Sequence, residues 1–388
     1  MGDPYWLEEA DAFVPRSSRN GHVDVAIIGA GVTGCACALE LASAGIRVRV
    51  HDEREIAGGA SGRNGGFALR GAAARYDVAR QSYGKEAALE LWRLTERYVD
   101  RLESLVGSAF RRVGSLRLAA DNEERDDIRA EYEALREDGF DAAWLDELDP
   151  PLAGRFVGAI LHGGDGAVQP ARVVRRLAEL AADAGAEFRE RERVTDVRAL
   201  DADQVVVATD GSGRGLLPAL DDVLWPARGQ VVATEPLSAR LFPRPHYARQ
   251  GFDYWQQVED GRIVCGGFRD FSILEEFTDD EVTTPVIQQA LEDFVAELLG
   301  SRPRITHRWA GVFGMTQDLL PLVGPVTGMD GTWVAAGYAG HGNVLGLLCG
   351  EVVARAILGD RDAVPELFDP ARLLVAPGTE PHVPETAR

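Results

Sequence analysis

Three glycines, at 29, 31 and 34 in the run Gly29-Ala30-Gly31-Val32-Thr33-Gly34, stand about 20 residues before a carboxylate, Asp52. A turn of this spacing lets the backbone approach a pyrophosphate, and the N–H groups that open the following helix meet its charge. Alone the motif is weak, because glycine also serves ordinary tight turns. Its context decides. Apolar residues 23–28 read as a buried strand, 32–44 as a helix with Leu39 and Leu41 on its apolar side, and "IRVRV" at 46–50 as a second strand. That β-α-β order puts Asp52 where it can bond a ribose, with Glu53 as the alternative. A bound dinucleotide follows. The bland alternative is a Rossmann-like unit with an empty site.

The motif does not separate a nicotinamide from a flavin dinucleotide, but two further stretches do. "REIAGGASGRNGGFALRG" at 54–71 is Gly-rich and follows the second strand directly. Such a loop lies along a cofactor toward its reactive end, where close backbone approach needs glycine. "AAGYAGHGNVLG" at 335–346 is a second Gly-rich entry into a helix. That helix N-terminus can face the pyrimidine carbonyl of a flavin and stabilise negative charge on the reduced ring. His341 in this loop is the titrating group expected nearest the ring, either as a proton acceptor or as a positional hydrogen-bonding residue.

The elements that must place these residues come in pieces. Residues 85–106, 122–139 and 170–188 read as helices, the last with a stop at Gly185; 202–213 reads as a buried strand ending in a Gly-rich turn. Residues 228–235 and 262–268 alternate like antiparallel strands, and 330–358 gives strand, loop and helix. The fold class is therefore α/β: a discontinuous Rossmann-like dinucleotide domain with an inserted α+β substrate domain on a mixed or antiparallel sheet. The cofactor domain takes 22–80, 156–225 and 314–365, and the substrate domain takes 81–155 and 226–313. Residues 1–21 read as an irregular arm, and 366–388 as a Pro-rich tail over the surface.

Composition narrows the partners. The 388 residues carry a formal charge of −21, against a nucleic-acid or anionic-membrane partner. No long apolar run reads as a membrane span, and the acidic N-terminus lacks a signal-peptide pattern, so a cytoplasmic protein is expected. Four cysteines, at 35, 37, 265 and 349, lie in apolar segments and read as buried thiols; no metal-ligand spacing appears.

"VAIIGAGVTG", "GASGRNGG", "DGAVQPARVVRRLAELAADAGAE", "VVVATDG", "WAGVFGMTQDLLPLVGPV" and "AAGYAGHGNVLG" occur in order along the chain. Together they resemble the FAD-dependent oxidoreductases of the D-amino-acid oxidase superfamily, over most of residues 22–360. "GASGRNGG" with "GHG" looks most like the gamma-glutamylputrescine oxidoreductase branch. The resemblance implies that Gly29, Gly31, Gly34, Asp52, Ser61, Arg63, Asn64, Gly65 and Gly66 line FAD. It implies that Val194 meets the adenine side, that Thr209 and Gly211 close over the cofactor, and that His341, Gly342, Asn343 and Val344 approach the isoalloxazine. Relatives with covalent flavin use a cysteine where Gly311 stands, or an early histidine that "GASGRNGG" lacks, so noncovalent FAD is expected.

Departures from the family bear on the substrate. Arginines that hold an α-carboxylate in glycine-oxidase-like relatives correspond to Phe313 and Gly340, and a sarcosine-oxidase-like lysine corresponds to Val344. A buried carboxylate without such a partner is costly. This favours a small-molecule amine, oxidised at its C–N bond by hydride transfer to flavin N5 and released as a carbonyl product after imine hydrolysis. Arg269, Arg228 and Arg70 are the candidate replacement clamps, and Tyr254, Trp255 and Phe313 the candidate aromatic walls, or else plain core. Lys85 is the sole lysine and sits away from the strand where an oxygen-activating lysine is expected. Either oxygen takes the electrons, with Arg269 or protonated His341 as substitute cation, or the reduced flavin passes them to another electron acceptor. The alternatives are a D-amino-acid or glycine/sarcosine-type dehydrogenase or oxidase, a flavoprotein acting on a modified nucleoside or protein-bound amine, and a non-catalytic FAD-binding protein. The oligomeric state is left open.

Overall fold

A computed structural model describes residues 4–14, 21–360 and 362–374. What was expected of 1–3 and 15–20 in the arm, and of the tail past 374, lies outside the described residues.

Val23–Ile28 sits inside a six-stranded sheet ordered Leu322–Pro325, Thr332–Ala336, Ala202–Val207, Val23–Ile28, Val48–His51 and Glu187–Arg189. All neighbours are parallel except Leu322–Pro325, which runs antiparallel to Thr332–Ala336. The strand is apolar on both faces because both faces are covered. Val25 and Ile27 pack in the core that holds the helices, and Val23 and Ile28 pack with Val205, Val207, Leu322 and Val334. The helices Val32–Ser43 and Gly342–Ile357 lie against each other. Glycines make that approach possible: a Cβ on Gly350 would stand 2.4 Å from the Thr33 carbonyl oxygen, and one on Gly346 would stand 2.6 Å from Val32. Two helix N-termini far apart in sequence therefore open side by side.

The second sheet has eight strands, in the order Ile305–Met315, Trp225–Thr234, Ile263–Gly267, Asp253–Gln257, His246–Ala248, Ser115–Leu118, Ala159–His162 and Ala143–Leu145. Its one parallel pair joins His246–Ala248 to Ser115–Leu118. The helix Pro285–Leu299 covers one face through Ile287, Leu291, Val295 and Leu298. The chain is thus an α/β protein with mixed sheets.

Several expectations need correction. Ala159–His162, placed with the cofactor segments by sequence, pairs in the eight-stranded sheet, since its antiparallel partner is Ser115–Leu118. The strand Ile305–Met315 also runs through the expected boundary at 313/314. The helix expected over 170–188 ends at Asp183; Gly185 takes φ +112°, and Glu187–Arg189 joins the parallel sheet. The arm is not wholly irregular, because Tyr5–Glu9 forms a short helix. Trp6 there is 1% exposed and donates its indole N–H to the Asn64 carbonyl at 2.8 Å.

Candidate active site

The ends of the parallel strands, the two helix N-termini and one face of the eight-stranded sheet enclose a cavity of about 920 Å³. Ligands in open α/β sheets bind beyond the carboxyl ends of the strands, where this cavity opens.

The first motif supplies the floor. Gly29 takes φ +105°, and a Cβ there would lie 2.5 Å from the Ala208 carbonyl oxygen, so only glycine fits. Gly29 and Gly31 line the cavity. Gly34 does not: its Cβ would fall 1.9 Å from the Gly29 carbonyl oxygen, so its role is close helix–strand packing rather than contact. Asp52 lines the cavity and accepts the Ala30 N–H at 2.7 Å and the Arg54 N–H at 2.8 Å. Burial pushes its carboxyl up while those two donors pull it down. It ties the Gly turn to the end of the second strand.

The loop 59–66 is built the same way. Ser61, Arg63, Asn64 and Gly65 line the cavity. The Ser61 hydroxyl accepts the Val32 N–H at 3.1 Å at the start of the first helix. Arg63 donates to the Gly58 and Ala310 carbonyls, and Trp309 donates back to the Arg63 carbonyl. Asn64 and Asn343 exchange amide hydrogen bonds at 3.1 and 3.0 Å, and Asn343 also donates to the Phe67 carbonyl. Two candidates 279 residues apart thus hold the loop against the second helix. Replacing either by alanine leaves buried amide atoms of the other unpaired. We expect Asn64→Ala and Asn343→Ala each to lower stability by about 1–3 kcal/mol, and the double variant to lose less than their sum. Chemical denaturation of the four proteins checks this.

Gly66 does not line the cavity, because Gln256 and Val168 crowd it within 2.6 Å of a notional Cβ. Gly211 packs instead on the backbone of Phe313. Val344 is 1% exposed in the helix core and faces away from the cavity lining. Thr209, Val194, His341, Gly342 and Asn343 do line it. The helix Gly342–Ile357 has no side-chain cap, so its first N–H groups and its positive dipole end open into the site.

The opposite wall comes from the eight-stranded sheet. Tyr254, Phe313, Arg269, Gly229, Val231 and Gly311 line the cavity. Trp255 does not. Successive strand residues point to opposite faces, so with Tyr254 inward Trp255 enters the core under the helix Pro285–Leu299. It is fully buried there and stacks on His246 at 5.2 Å. The Tyr254 ring lies on glycine: Cβ atoms at Gly65 and Gly266 would stand 2.8 and 2.4 Å from it. Gly266→Ala should therefore displace the ring and raise the ligand Kd about tenfold with little change in FAD content, read by spectral titration.

The candidate clamps separate cleanly. Arg228 is locked to Glu276 at 2.8 Å with side-chain exposures of 6% and 0%, and it does not line the cavity. Arg70 lines it but pairs with Glu96 at 2.7 Å. Arg269 lines the cavity over Phe252, makes no ion pair among the described residues, and leaves a buried Nη1 unpartnered. Its pKa is lowered by burial. Breaking the Arg228–Glu276 pair strands a buried carboxylate, so Arg228→Met should cost about 3–5 kcal/mol of stability without altering substrate choice. Thermal melts and a substrate panel check both halves.

His341 Nδ1 is buried and has no hydrogen-bond partner among the described residues, and burial, with Arg117 adding to it, lowers the imidazole to about 4. His341 is accordingly neutral at pH 7. In the resting site His341 is therefore not a standing cation. Lys85 is engaged with Glu137 at 2.7 Å and Asp138 at 3.0 Å, away from the cavity.

Sequence reading missed other cavity residues. Asp210, at φ +49°, accepts N–H groups from Gly314 and Gly337 and so joins three segments. Its signal was a carboxylate in the Gly turn after a buried strand. Thr33 donates to the Tyr338 hydroxyl at 2.8 Å, linking the two helix entries. Arg117, Glu131, His162, Asp165 and Tyr247 also line the cavity, and no local pattern marked them.

A backbone-lined cradle at two helix N-termini, beyond the carboxyl ends of parallel strands, has the form of a dinucleotide site. The chain belongs to the DAO family of FAD dependent oxidoreductases, which matches residues 24–356. It is FAD dependent. It is 26% identical over 381 residues to the probable oxidoreductase OrdL of Haemophilus influenzae, covering 89% of this chain and 85% of that protein. It is 27% identical over 390 residues to gamma-glutamylputrescine oxidoreductase of Escherichia coli, covering 92% and 89%. Glycine oxidase from Geobacillus kaustophilus superposes with a TM-score of 0.74 at 25% identity, covering 93% of this chain and all of that one (100%). Among the described residues no helix is long and apolar enough to cross a membrane.

Proposed function

We propose that this enzyme oxidises the C–N bond of an amine whose reacting carbon carries no carboxylate, such as gamma-glutamylputrescine or a related polyamine derivative. The observation that carries this reading is that two cavity-lining positions bear no charge: Phe313, on the eight-stranded sheet, and Gly340, in the loop that opens the second helix. The resemblance matches both to the carboxylate-binding arginines of relatives resembling glycine oxidase.

Gly29, Gly31, Asp52, Ser61, Arg63, Asn64, Gly65, Val194, Thr209, Gly342 and Asn343 would hold FAD, with Gly34, Gly66 and Gly211 keeping the backbone close enough. FAD, when bound, supplies the acceptor for a hydride equivalent from the carbon bearing nitrogen. The four cysteines are buried and none lines the cavity, in keeping with noncovalent attachment. Tyr254 and Phe313 wall in the amine, and burial holds the Tyr254 phenol protonated. Neutral His341 takes the ammonium proton at its buried nitrogen, and desolvation helps the amine release it. The imine then hydrolyses to a carbonyl compound. The six-stranded sheet and its helices form the cofactor unit in this reading, and the eight-stranded sheet forms the substrate unit.

Arg269 favours a second reading, an α-amino-acid substrate of the D-amino-acid or glycine/sarcosine type. It lines the cavity and has no ion partner among the described residues, so it can meet a carboxylate. Arg269→Leu separates the two. If the substrate is an amine, flavin reduction by amines survives within about threefold. If the substrate is an amino acid, truncating the clamp costs about 2–5 kcal/mol, a loss of more than tenfold in kcat/KM.

A further inference from the structure

The cavity has a second group of polar side chains, carried by the eight-stranded sheet rather than by the helix N-termini. Strand pairing places it. Tyr254 pairs with Tyr247, and Tyr247 pairs with Arg117, so the three stand in one row on the same face of the sheet. Two strand spacings put Arg117 roughly 10 Å beyond Tyr254. His162 pairs with Ser115, two residues from Arg117, and so shares that face.

Both groups keep a donor without a partner among the described residues. Arg117 is 7% exposed; its Nη1 pairs with Glu131 at 2.8 Å, while its buried Nε has no acceptor. His162 is 6% exposed, and Arg70 Nη2 donates to its Nδ1 at 3.2 Å. Nδ1 is therefore the acceptor and Nε2 carries the proton. Nε2 is buried and also unpartnered. Burial, with Arg70 and Arg117 nearby, keeps this ring neutral. Asp165 does not consume these donors, because it accepts from Ser115 and from the Arg70 backbone N–H. Buried donors without acceptors are rare in folded proteins, and both residues that carry these line the cavity.

We propose that Arg117 Nε and His162 Nε2 form a subsite for sp² acceptor oxygens, a carboxylate or an amide carbonyl, carried by the amine on the arm remote from its reacting carbon. The proposal rests on the amine reading and narrows it: the substrate is an amine with an acceptor group on an arm that reaches two strands across the sheet, from Tyr254 to Arg117. Arg70 positions His162 by fixing its tautomer, and Tyr247 lies against the Arg117 guanidinium at 5.5 Å.

The test uses the FAD-loaded enzyme without oxygen. Reacting probes are ω-amino carboxylates of graded chain length, their primary amides, and alkylamines and diamines of matching length. Non-reacting probes are straight-chain carboxylates and amides, whose Kd is read from the perturbed spectrum of oxidised flavin. Acceptor-bearing ligands should bind about ten- to hundredfold more tightly than plain ones. His162→Leu should collapse that ratio toward one. The double variant Arg117→Met with Glu131→Gln removes the other donor without stranding a charge, and it serves where His162→Leu fails to fold. Comparison of the carboxylate and amide series identifies which acceptor is preferred. Plain alkylamines or diamines binding as tightly as acceptor-bearing ones would overturn the proposal, as would a ratio unmoved by both variants. If no amine bleaches the flavin while carboxylates or amides still bind through His162, the amine reading fails and the subsite stands.

Discussion

Gly34→Ala is expected to come off purification colourless. Its added Cβ would lie 1.9 Å from the Gly29 carbonyl oxygen, far inside contact distance and against backbone that has nowhere to go. Gly29 is itself pinned at φ +105° beneath Ala208, so the turn cannot yield toward the strand. The helix must shift outward and carry its N-terminal N–H groups away from the pyrophosphate position. Gly31→Val tests the same cradle more gently, since a Cβ there meets only the Ser61 side chain, at 2.8 Å. Flavin occupancy, read as the ratio of visible to protein absorbance, should fall about tenfold or more in Gly34→Ala. Gly31→Val should fold, as judged by circular dichroism, and bind FAD weakly. Full occupancy in both would place the cofactor elsewhere.

His341→Ala should slow anaerobic flavin reduction by about 10²–10³ at pH 8, because a positioned proton acceptor contributes about that much. The pH profile carries the sign. The His341 imidazole is held down at about 4 by burial, so it is neutral and able to accept a proton at every pH above that value. In the wild-type enzyme the reduction rate should therefore be lost only as pH falls through about 4, apart from the amine's own titration. His341→Ala should lose that acid limb together with the rate. A limb near 6.5 would mean an exposed imidazole, and an unchanged rate in the variant would leave His341 a positional residue. Stopped-flow reduction across pH distinguishes these outcomes.

Local chemistry made most of the cradle legible. The glycines at 29, 31 and 34 with Asp52 follow from a strand–turn–helix geometry that is written over about 30 residues. The Gly-rich loop at 59–66 and the loop before Gly342 also announce themselves locally. What the sequence did not carry is long-range. Alternation along a strand identifies two faces but not which one is inward, so Trp255 stayed open between cavity wall and plain core, and the structure puts it in the core. Val344 follows cavity-lining Asn343 by a single residue, and the helical turn sends it into the core. The Asn64–Asn343 amide pair and the Asp210 junction join residues more than 100 positions apart, and single-sequence periodicity has no access to such pairs. Ala159–His162 looked like part of the cofactor segments because it precedes a helix that serves them; only its pairing with Ser115–Leu118 reveals its sheet. The three candidate arginines looked equivalent until their partners were visible.

The most direct test of amine oxidation at this site is anaerobic titration of the FAD-loaded protein, followed by absorbance near the flavin maximum. The panel is primary amines, polyamine derivatives including gamma-glutamylputrescine, and D- and L-α-amino acids. Bleaching by amines and not by α-amino acids, with a carbonyl product after air is admitted, is the predicted result. Bleaching by an α-amino acid at comparable or greater efficiency would contradict it and assign Arg269 as the carboxylate clamp.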